Sequence, residues 1–516
     1  MLNLASILDS SAREFPLRTA LVLGDKTFNY AQLNGAANKI ANGLLQAGIK
    51  KGDRVALTCP NLPYFPMAYY GILKAGAVVV PINVLLKDKE IEYVLKDSEA
   101  KAYFCFSGTP ELPMGEWGWK AFNNVKTCKH FILMTPDPAA ASPIEGATTL
   151  GQFMKDPSPV AETASTAPQD SAVILYTSGT TGNPKGAELS HVNLMMNTFV
   201  ARDLLQTPRG ETQLIVLPMF HSFGQVVQMN TGILCAHKLV LVPRFEPGMV
   251  LELLEKQAVN IFCGVPTMYW ALLNHPQKDA VQKVRDAKHL RLCASGGAAI
   301  PVEIIKQFED FFEVPILEGY GLSETSPIAT FNHMHHTRIP GSVGTPVWGV
   351  DVKIVDTDDN EVPAETVGEI AIRGHNVMKG YLNRPEATAE VMKGGWFHSG
   401  DLGKKDKEGH IYIVDRVKDM IIRGGFNVYP REIEEVLMTN PGISLTAVIG
   451  VPDPKMGEEI KAFIVLKEGA KLTPKEIIAW SKESMADYKY PRIVEICKTL
   501  PMTATGKILK KELKTQ

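Results

Sequence analysis

Tyr176-Thr-Ser-Gly-Thr-Thr-Gly-Asn-Pro-Lys-Gly186 is a polar, glycine-rich stretch that continues the apolar, β-branched run Ser171–Tyr176. The apolar run predicts a buried strand. The polar stretch predicts a loop, because glycines permit turns with positive φ that direct successive backbone N–H groups to one side. Its hydroxyls add hydrogen-bond donors and Lys185 adds a cation. A flexible turn can have the same composition, but donors and charge together favour a cradle for a polyphosphate.

This loop is not a Walker A loop, since that motif requires glycine where Pro184 stands and serine or threonine where Gly186 stands. The string instead resembles the phosphate loop of the adenylate-forming superfamily: acyl-CoA synthetases, firefly-type luciferases and nonribosomal peptide adenylation domains. Further motifs of this family follow in the same order along essentially the whole chain. For the loop, the resemblance implies contacts with ATP or AMP by Thr177, Ser178, Gly179, Thr180, Thr181, Gly182 and Lys185.

Length and composition restrict the classes of protein to consider. A chain of 516 residues is too long for one ordinary core and predicts at least two domains. A net charge of −2 gives no electrostatic reason to expect nucleic acid as a partner. The seven cysteines lack zinc-site spacing and predict reduced thiols. With no signal-peptide pattern and no apolar run near the ~18 residues of a membrane span, we expect a cytoplasmic protein without an integral membrane segment. Peripheral membrane contact and a homodimer stay open.

Helix-like and strand-like segments alternate through residues 1–135, which predicts an α/β architecture with a largely parallel sheet. Tyr30–Leu45 has helical spacing of apolar residues, and Arg54–Thr58 and Val78–Pro81 have strand composition.

From Pro430 onward the pattern predicts a small α+β domain, in which Thr473-Pro-Lys-Glu476 is a capping box that opens a helix. The resemblance places the domain boundary in the charged segment just before this region. We therefore expect a mixed α/β and α+β fold. A large N-terminal adenylation domain of α/β subdomains spans residues 1–416, and a small mobile C-terminal α+β domain spans residues 417–516.

Leu317-Glu-Gly-Tyr-Gly-Leu-Ser-Glu-Thr325 is as distinctive as the phosphate loop. Tyr320 offers an aromatic face for adenine. Glu324 is a hard oxygen ligand suited to Mg²⁺, which commonly takes one carboxylate plus substrate phosphates. A glutamate in a loop is usually solvated surface, but this one lies inside a matched motif. The same motif supplies further nucleotide contacts from Gly321, Ser323 and Thr325, the last two as donors to the α-phosphate or the acyl carboxylate.

Small residues follow the strand pattern Leu290–Ser295 and allow a flat ring or a ligand chain to approach the backbone closely. A tight strand–helix turn would also explain them. The resemblance places adenine and the acyl group along Gly297, Ala298 and Ala299.

Pro218-Met-Phe-His-Ser-Phe-Gly224 matches the family motif that lines the acyl tunnel. Without the resemblance, an isolated histidine would be structural or solvated, and Met268 would be ordinary core. With it, the implied acyl pocket consists of His221, Ser222, Phe223, Val226 and Met268.

Gly395-Trp-Phe-His-Ser-Gly-Asp401-Leu-Gly403 carries an aspartate whose family counterpart accepts hydrogen bonds from both ribose hydroxyls. An Asx turn between Gly400 and Gly403 is the alternative. The resemblance further places Arg416 near the ribose and a hinge at Lys418.

The last motifs concern coenzyme A and the catalytic lysine. Gly424 and Gly425 are implied to lie beside the pantetheine thiol. In Pro501-Met-Thr-Ala-Thr-Gly-Lys507, the lysine matches the mobile lysine of the adenylation step, whereas Lys510 is expected to be solvated surface.

The resemblance implies two half-reactions. A carboxylate attacks the α-phosphorus of Mg-ATP to give an acyl-adenylate and pyrophosphate, and CoA then forms the thioester and releases AMP. The protein must position the reactants and stabilise negative charge, tasks that fit Lys507, Ser323, the Mg²⁺ ligand Glu324 and the phosphate loop. No general base for the thiol step stands out.

The favoured substrate is a medium- to long-chain fatty acid, because of the overall resemblance and because the pocket candidates Gly297, Ala298 and Ala299 are small and apolar. An aryl-CoA ligase of the 4-coumarate type is the main alternative. A luciferase-type oxygenase shares the adenylation motifs. An amino-acid adenylation domain is disfavoured by the lack of a following carrier domain, and a nucleotide-binding pseudoenzyme by the full set of catalytic residues.

Overall fold

The computed structural model describes residues 2–177, 183–334 and 338–514. Within these ranges the strands form four β-sheets, of which two are large with mainly parallel strands and two are smaller and mainly antiparallel. The predicted mixed α/β and α+β fold, with a large N-terminal and a smaller C-terminal part, is confirmed.

The first large sheet contributes strand ends to the candidate site. Its central strands pair in parallel. Thr212–Ile215, Ile261–Gly264 and Leu292–Ser295 are short and fully buried, as expected when helices cover both faces of a sheet. In spatial order its strands are Thr345–Pro346, Ile328–Phe331, Ile316–Gly321, Leu292–Ser295, Ile261–Gly264, Thr212–Ile215, Lys238–Leu241, Thr19–Leu23 and Lys26–Asn29.

The second large sheet contains the apolar run that precedes the predicted phosphate loop. Ser171–Thr177 pairs antiparallel with Lys185–Ser190, so the loop connects two neighbouring strands. The predicted strands Arg54–Thr58 and Val78–Pro81 pair in parallel within this sheet. The spatial order is Gly380–Tyr381, Lys185–Ser190, Ser171–Thr177, Val78–Pro81, Arg54–Thr58, Ala102–Phe106, His130–Met134 and Thr148–Thr149.

The two smaller sheets follow in the chain. The third comprises Val350–Val355, Gly368–Gly374, Trp396–Lys405, Met392–Lys393 and Ile411–Arg416. The fourth comprises Phe426–Val428, Ile421–Arg423, Gly457–Leu466, Ile443–Asp453 and Ile493–Ile496. A domain boundary between residues 416 and 417 falls between these two sheets and stays a prediction.

Some of the helices that cover the sheets begin at a capping box in the sequence. Asn29 accepts a hydrogen bond from the backbone N–H of Gln32, whose side chain accepts one in return, and this capping box opens the first long helix. The predicted capping box at Thr473 opens a helix in the same way. None of the described helices has the length and apolar character needed to cross a membrane.

The α-helices of the described ranges are Ser6–Glu14, Tyr30–Gln46, Tyr64–Lys74, Asp88–Asp97, Met114–Asn123, Leu150–Phe153, His191–Leu204, Thr231–Leu234, Pro247–Lys256, Pro266–Leu273, Lys278–Ala287, Val302–Phe312, Pro385–Val391, Pro430–Met438, Pro474–Ser484 and Lys510–Leu513. Phe223–Asn230 is a π-helix and Ser323–Thr325 is a 3₁₀ turn.

Candidate active site

Asp401 is a buried acidic residue at a fixed position in the third sheet. It lies in the strand Trp396–Lys405, directly opposite Arg416 on the neighbouring strand. The hydroxyl of Tyr320 donates to Oδ2 of Asp401 at 2.7 Å, and Nε of Arg416 lies 3.1 Å from Oδ1. Burial raises the pKa of Asp401, and the Arg416 guanidinium opposes that rise. The regular strand pairing accounts for this residue better than an isolated Asx turn.

Lys507, near the C-terminal end of the chain, lies close to Asp401. The region that holds these two residues together with Tyr320 and Gly297 is called the cleft below. Its side chain lies over the backbone of Gly297, because a Cβ atom built on that glycine would be 3.1 Å from Cε and 3.5 Å from Nζ of the lysine. Gly297 has φ of +80°, so an L-residue would be strained there as well as crowded. Burial, reinforced by Arg416 and opposed by Asp401, lowers the pKa of Lys507 to about 8.

Glu324 lies at the junction of three chain segments. Its Oε1 accepts hydrogen bonds from Thr177 at 3.2 Å and from the hydroxyl of Tyr381 at 3.0 Å. Nζ of Lys185 lies 5.2 Å from the centre of the Tyr381 ring. No sequence motif points to Tyr381, because only the pairing of Gly380–Tyr381 with Lys185–Ser190 brings it to this position.

The donor set around Glu324 fits the predicted Mg²⁺. The described residues contain no group of three or more His, Cys, Asp or Glu side chains that could hold a metal ion. Both hydroxyl donors contact Oε1 of Glu324, and its second carboxylate oxygen is the hard donor that Mg²⁺ prefers. The arrangement fits an ion that takes one protein carboxylate and completes its shell with substrate phosphates and water.

The rest of the Tyr320 motif serves mainly to shape the backbone. A Cβ atom on Gly321 would lie 1.7 Å from the carbonyl oxygen of Pro327, so the chain admits only glycine. The hydroxyl of Thr325 donates to that same carbonyl at 2.6 Å and accepts from the N–H of Leu322. Thr325 can therefore donate to a phosphate only by releasing Pro327. Ser323 is partly exposed on the same turn.

The acyl-pocket candidates lie beside the glycines that receive Lys507. The ring of Phe223 would be 3.2 Å from a Cβ on Gly296. Burial and the charge of Lys507 lower the pKa of His221 to about 3, so this histidine is neutral at physiological pH. The methyl group of Met268 lies 3.7 Å from the position of a Cβ on Gly506, the residue that precedes Lys507. Of the remaining candidates, Val226 is buried in the π-helix and Ser222 is buried just before it.

Comparison with known proteins identifies the family. The model of the AMP-binding enzyme matches residues 8–382, and the model of the AMP-binding enzyme C-terminal domain matches residues 432–507. The chain belongs to the AMP-binding enzyme family. It is 37% identical over 529 residues to a long-chain-fatty-acid–CoA ligase of Bacillus subtilis, covering 99% of this chain and 94% of that protein. It is 36% identical over 514 residues to a feruloyl-CoA synthase of Amycolatopsis, covering 98% and 96%.

A solved structure extends the match to the whole fold. The crystal structure of ATP-bound MatB from Rhodopseudomonas palustris superimposes with a TM-score of 0.89 at 30% identity, and the match covers 100% of this chain and 99% of that one. The resemblance predicted from the motifs is thus confirmed at the level of family and fold.

The remaining residues predicted from the family motifs lie in turns and at exposed positions. Gly424 and Gly425, both with positive φ, form the turn between two strands of the fourth sheet, and the N–H of Gly424 donates to Met456. Lys418 is exposed in the preceding turn. Ala298 and Ala299 are exposed next to Gly297. The phosphate-loop residues Ser178, Gly179, Thr180, Thr181 and Gly182 lie outside the described residues.

Proposed function

We propose that this member of the AMP-binding enzyme family is an AMP-forming acyl-CoA synthetase that activates a carboxylic acid with Mg-ATP and transfers the acyl group to CoA. The observation that carries the proposal is the position of Lys507. A lysine from the last residues of the chain lies over Gly297 in the large domain, in the cleft that also holds Asp401 and Tyr320.

In the first half-reaction a carboxylate oxygen of the substrate attacks the α-phosphorus of ATP. A P–O bond to the acyl group forms, the bond to the β-phosphate oxygen breaks, and pyrophosphate leaves. The carboxylate is itself the nucleophile, so the chain needs no nucleophilic side chain. Lys507 stabilises the charge that develops on the phosphoryl oxygens. Glu324 would hold Mg²⁺, which when bound neutralises phosphate charge.

The large domain holds the nucleotide during this step. Asp401 accepts the ribose hydroxyls, helped by Arg416, which keeps a positive charge beside the buried carboxylate. The face of Tyr320 stacks on adenine while its hydroxyl donates to Asp401. Thr177 and Lys185, at the two ends of the phosphate loop, would donate to the β- and γ-phosphates.

In the second half-reaction the small domain, residues 417–516, rotates about Lys418 and withdraws Lys507. The CoA thiol sulfur attacks the acyl carbonyl carbon, a C–S bond forms, the C–O bond to phosphate breaks and AMP leaves. The thiol proton passes to solvent or to the departing phosphate. Gly424 and Gly425 would then flank the pantetheine arm, where the absence of side chains permits close approach.

A medium- to long-chain fatty acid is the proposed substrate. The candidate pocket is lined by buried apolar side chains, among them Phe223, Val226 and Met268, and the Bacillus subtilis relative is named for this substrate class. The feruloyl-CoA synthase relative is nearly as similar to this chain in sequence, so aryl acids are the second candidate substrates.

A panel of carboxylates tests the proposal: C2 to C18 fatty acids, benzoate, 4-coumarate and ferulate, each with ATP and Mg²⁺. Pyrophosphate release is scored with and without CoA. CoA-dependent turnover that peaks on an aliphatic chain is expected. A peak on the aromatic acids would assign the protein to the aryl-CoA ligases. Adenylation that CoA cannot discharge would contradict the second half-reaction.

A further inference from the structure

The loop that carries Lys507 is internally rigid. The N–H of Thr503 donates to the carbonyl of Lys507 at 2.8 Å, and the N–H of Lys507 donates to the hydroxyl of Thr503 at 3.1 Å. The N–H of Gly506 donates to the carbonyl of Thr503 at 2.9 Å. Because these bonds close the turn on itself, fixing one of its atoms fixes the position from which the Lys507 side chain extends.

One side chain of the large domain holds this turn directly. The hydroxyl of Thr267, a buried residue in the first turn of the helix Pro266–Leu273, donates to the carbonyl oxygen of Gly506 at 2.7 Å. Gly506 has φ of +78°, and a Cβ atom there would be 2.8 Å from Cγ2 of Val265. The turn is thus seated closely on the start of this helix, one residue before the lysine.

The same helix is tied to the strand that ends beside Gly297. The hydroxyl of Tyr269 donates to the carbonyl of Ala294, in the strand Leu292–Ser295, at 2.7 Å. The helix and this strand therefore hold Lys507 at two points. Thr267 holds the backbone beside the lysine, and the tip of the lysine side chain lies over Gly297.

We propose that Thr267 is a positioning residue for Lys507, which sets the lysine for adenylation and has no part in the CoA step. This inference rests on the proposed function, because it assigns Thr267 to the half-reaction in which Lys507 acts. Trp270, one helical turn further on, donates from Nε1 to the hydroxyl of Ser444 at 3.0 Å and supports the same face of the docked domain.

Thr267→Val tests the role, because valine keeps the shape and removes the donor. Loss of one hydrogen bond of ordinary strength predicts a fall of about fivefold in the adenylation rate constant at saturating ATP. The rate of thioester formation from supplied acyl-AMP should stay within about twofold. Thr267→Ser keeps the hydroxyl and should restore most of the adenylation rate.

Thr135→Val is the matched control. Thr135 is also buried, and its hydroxyl donates to the carbonyl of Asp137 at 2.7 Å, away from the small domain. Both half-reactions of this variant should match the unmodified protein, and thermal melting of all variants measures any loss of stability.

The outcomes separate the two levels of the account. An unmodified protein that releases no pyrophosphate with any acid would overturn the proposed function together with this inference. An active protein whose Thr267→Val variant keeps the full adenylation rate would overturn the inference alone. Equal losses in both half-reactions, or no rescue by serine, would also overturn it, because a merely structural threonine would behave in that way.

Discussion

Asp401 and Lys507 lie close to each other but are held there by different parts of the molecule. Asp401 is fixed by a strand pair and by Tyr320 and Arg416 within residues 1–416. Lys507 is held by contacts between the C-terminal segment and much earlier parts of the chain, such as Thr267 with Gly506. A group that serves both half-reactions can be built into one body, whereas a group needed in only one must be able to leave.

Lys507→Ala should produce the largest and most selective effect. Removing a cation that stabilises transition-state charge is expected to slow adenylation by about 100-fold to 1,000-fold. Thioester formation from supplied acyl-AMP should continue at nearly the original rate. The two half-reactions are assayed separately by pyrophosphate release and by CoA consumption. Equal losses in the two half-reactions would contradict the proposal that Lys507, unlike Asp401, serves adenylation alone.

Asp401→Asn should give a smaller effect that is shared by both half-reactions. The amide keeps the shape but loses the charge that pairs with Arg416 and accepts the ribose hydroxyls, a change expected to weaken nucleotide binding by about 10-fold to 100-fold. Dissociation constants of ATP and of a non-hydrolysable acyl-AMP analogue measure this directly. A variant that binds the analogue normally while losing ATP would contradict a ribose role.

The pH dependence of adenylation should report the ionisation of Lys507. A lysine acts as a cation only below its pKa, and burial lowers that of Lys507 to about 8. The value of kcat/KM for ATP, which reflects the free enzyme, should therefore be flat below pH 8 and fall by up to about tenfold per pH unit above it. The Lys507→Arg variant stays charged, so its kcat/KM should not fall above pH 8, even if the variant is slower at every pH. The thioester step should show no matching fall.

Tyr381→Phe should have the smallest effect. It removes one hydroxyl that donates to Glu324 at 3.0 Å and leaves the ring beneath Lys185 in place. A change of about fivefold in the Mg²⁺ concentration needed for half-maximal adenylation is expected. An unchanged Mg²⁺ dependence together with a lower rate would show that the hydroxyl acts on something other than the carboxylate.

Local patterns predicted the parts of the fold that depend on neighbours in sequence. Arg54–Thr58 and Val78–Pro81 are strands with the predicted bounds, and their apolar residues are buried. The small domain was less predictable. Its strand Ile443–Asp453 contains polar residues that interrupt the apolar pattern, and they pair along the long partner strand Gly457–Leu466. Lys510, predicted to be solvated, is partly buried and forms an ion pair with Glu434 at 2.7 Å, so that prediction was wrong.

Contacts between distant segments explain what the sequence could not reveal about the site. Tyr381 lies more than fifty residues beyond Glu324, yet the two side chains are hydrogen-bonded. Thr267 and Gly506 are 239 positions apart. Neither Tyr381 nor Thr267 lies in a sequence motif that predicts its hydrogen bond, because the packing of distant segments determines which residue each one contacts.

Cross-linking the two domains tests the central claim, that Lys507 must dock for adenylation and leave for thioester formation. Trp270→Cys and Ser444→Cys would place thiols across the contact, in a Cys497→Ser background because the other native cysteines are buried. With a short cleavable bismaleimide in place, the protein should still form one equivalent of adenylate but should not turn over to thioester. Cleavage of the cross-linker should restore thioester formation. Single-cysteine variants treated in the same way should be unaffected. A cross-linked protein that makes thioester at the uncross-linked rate would contradict the account.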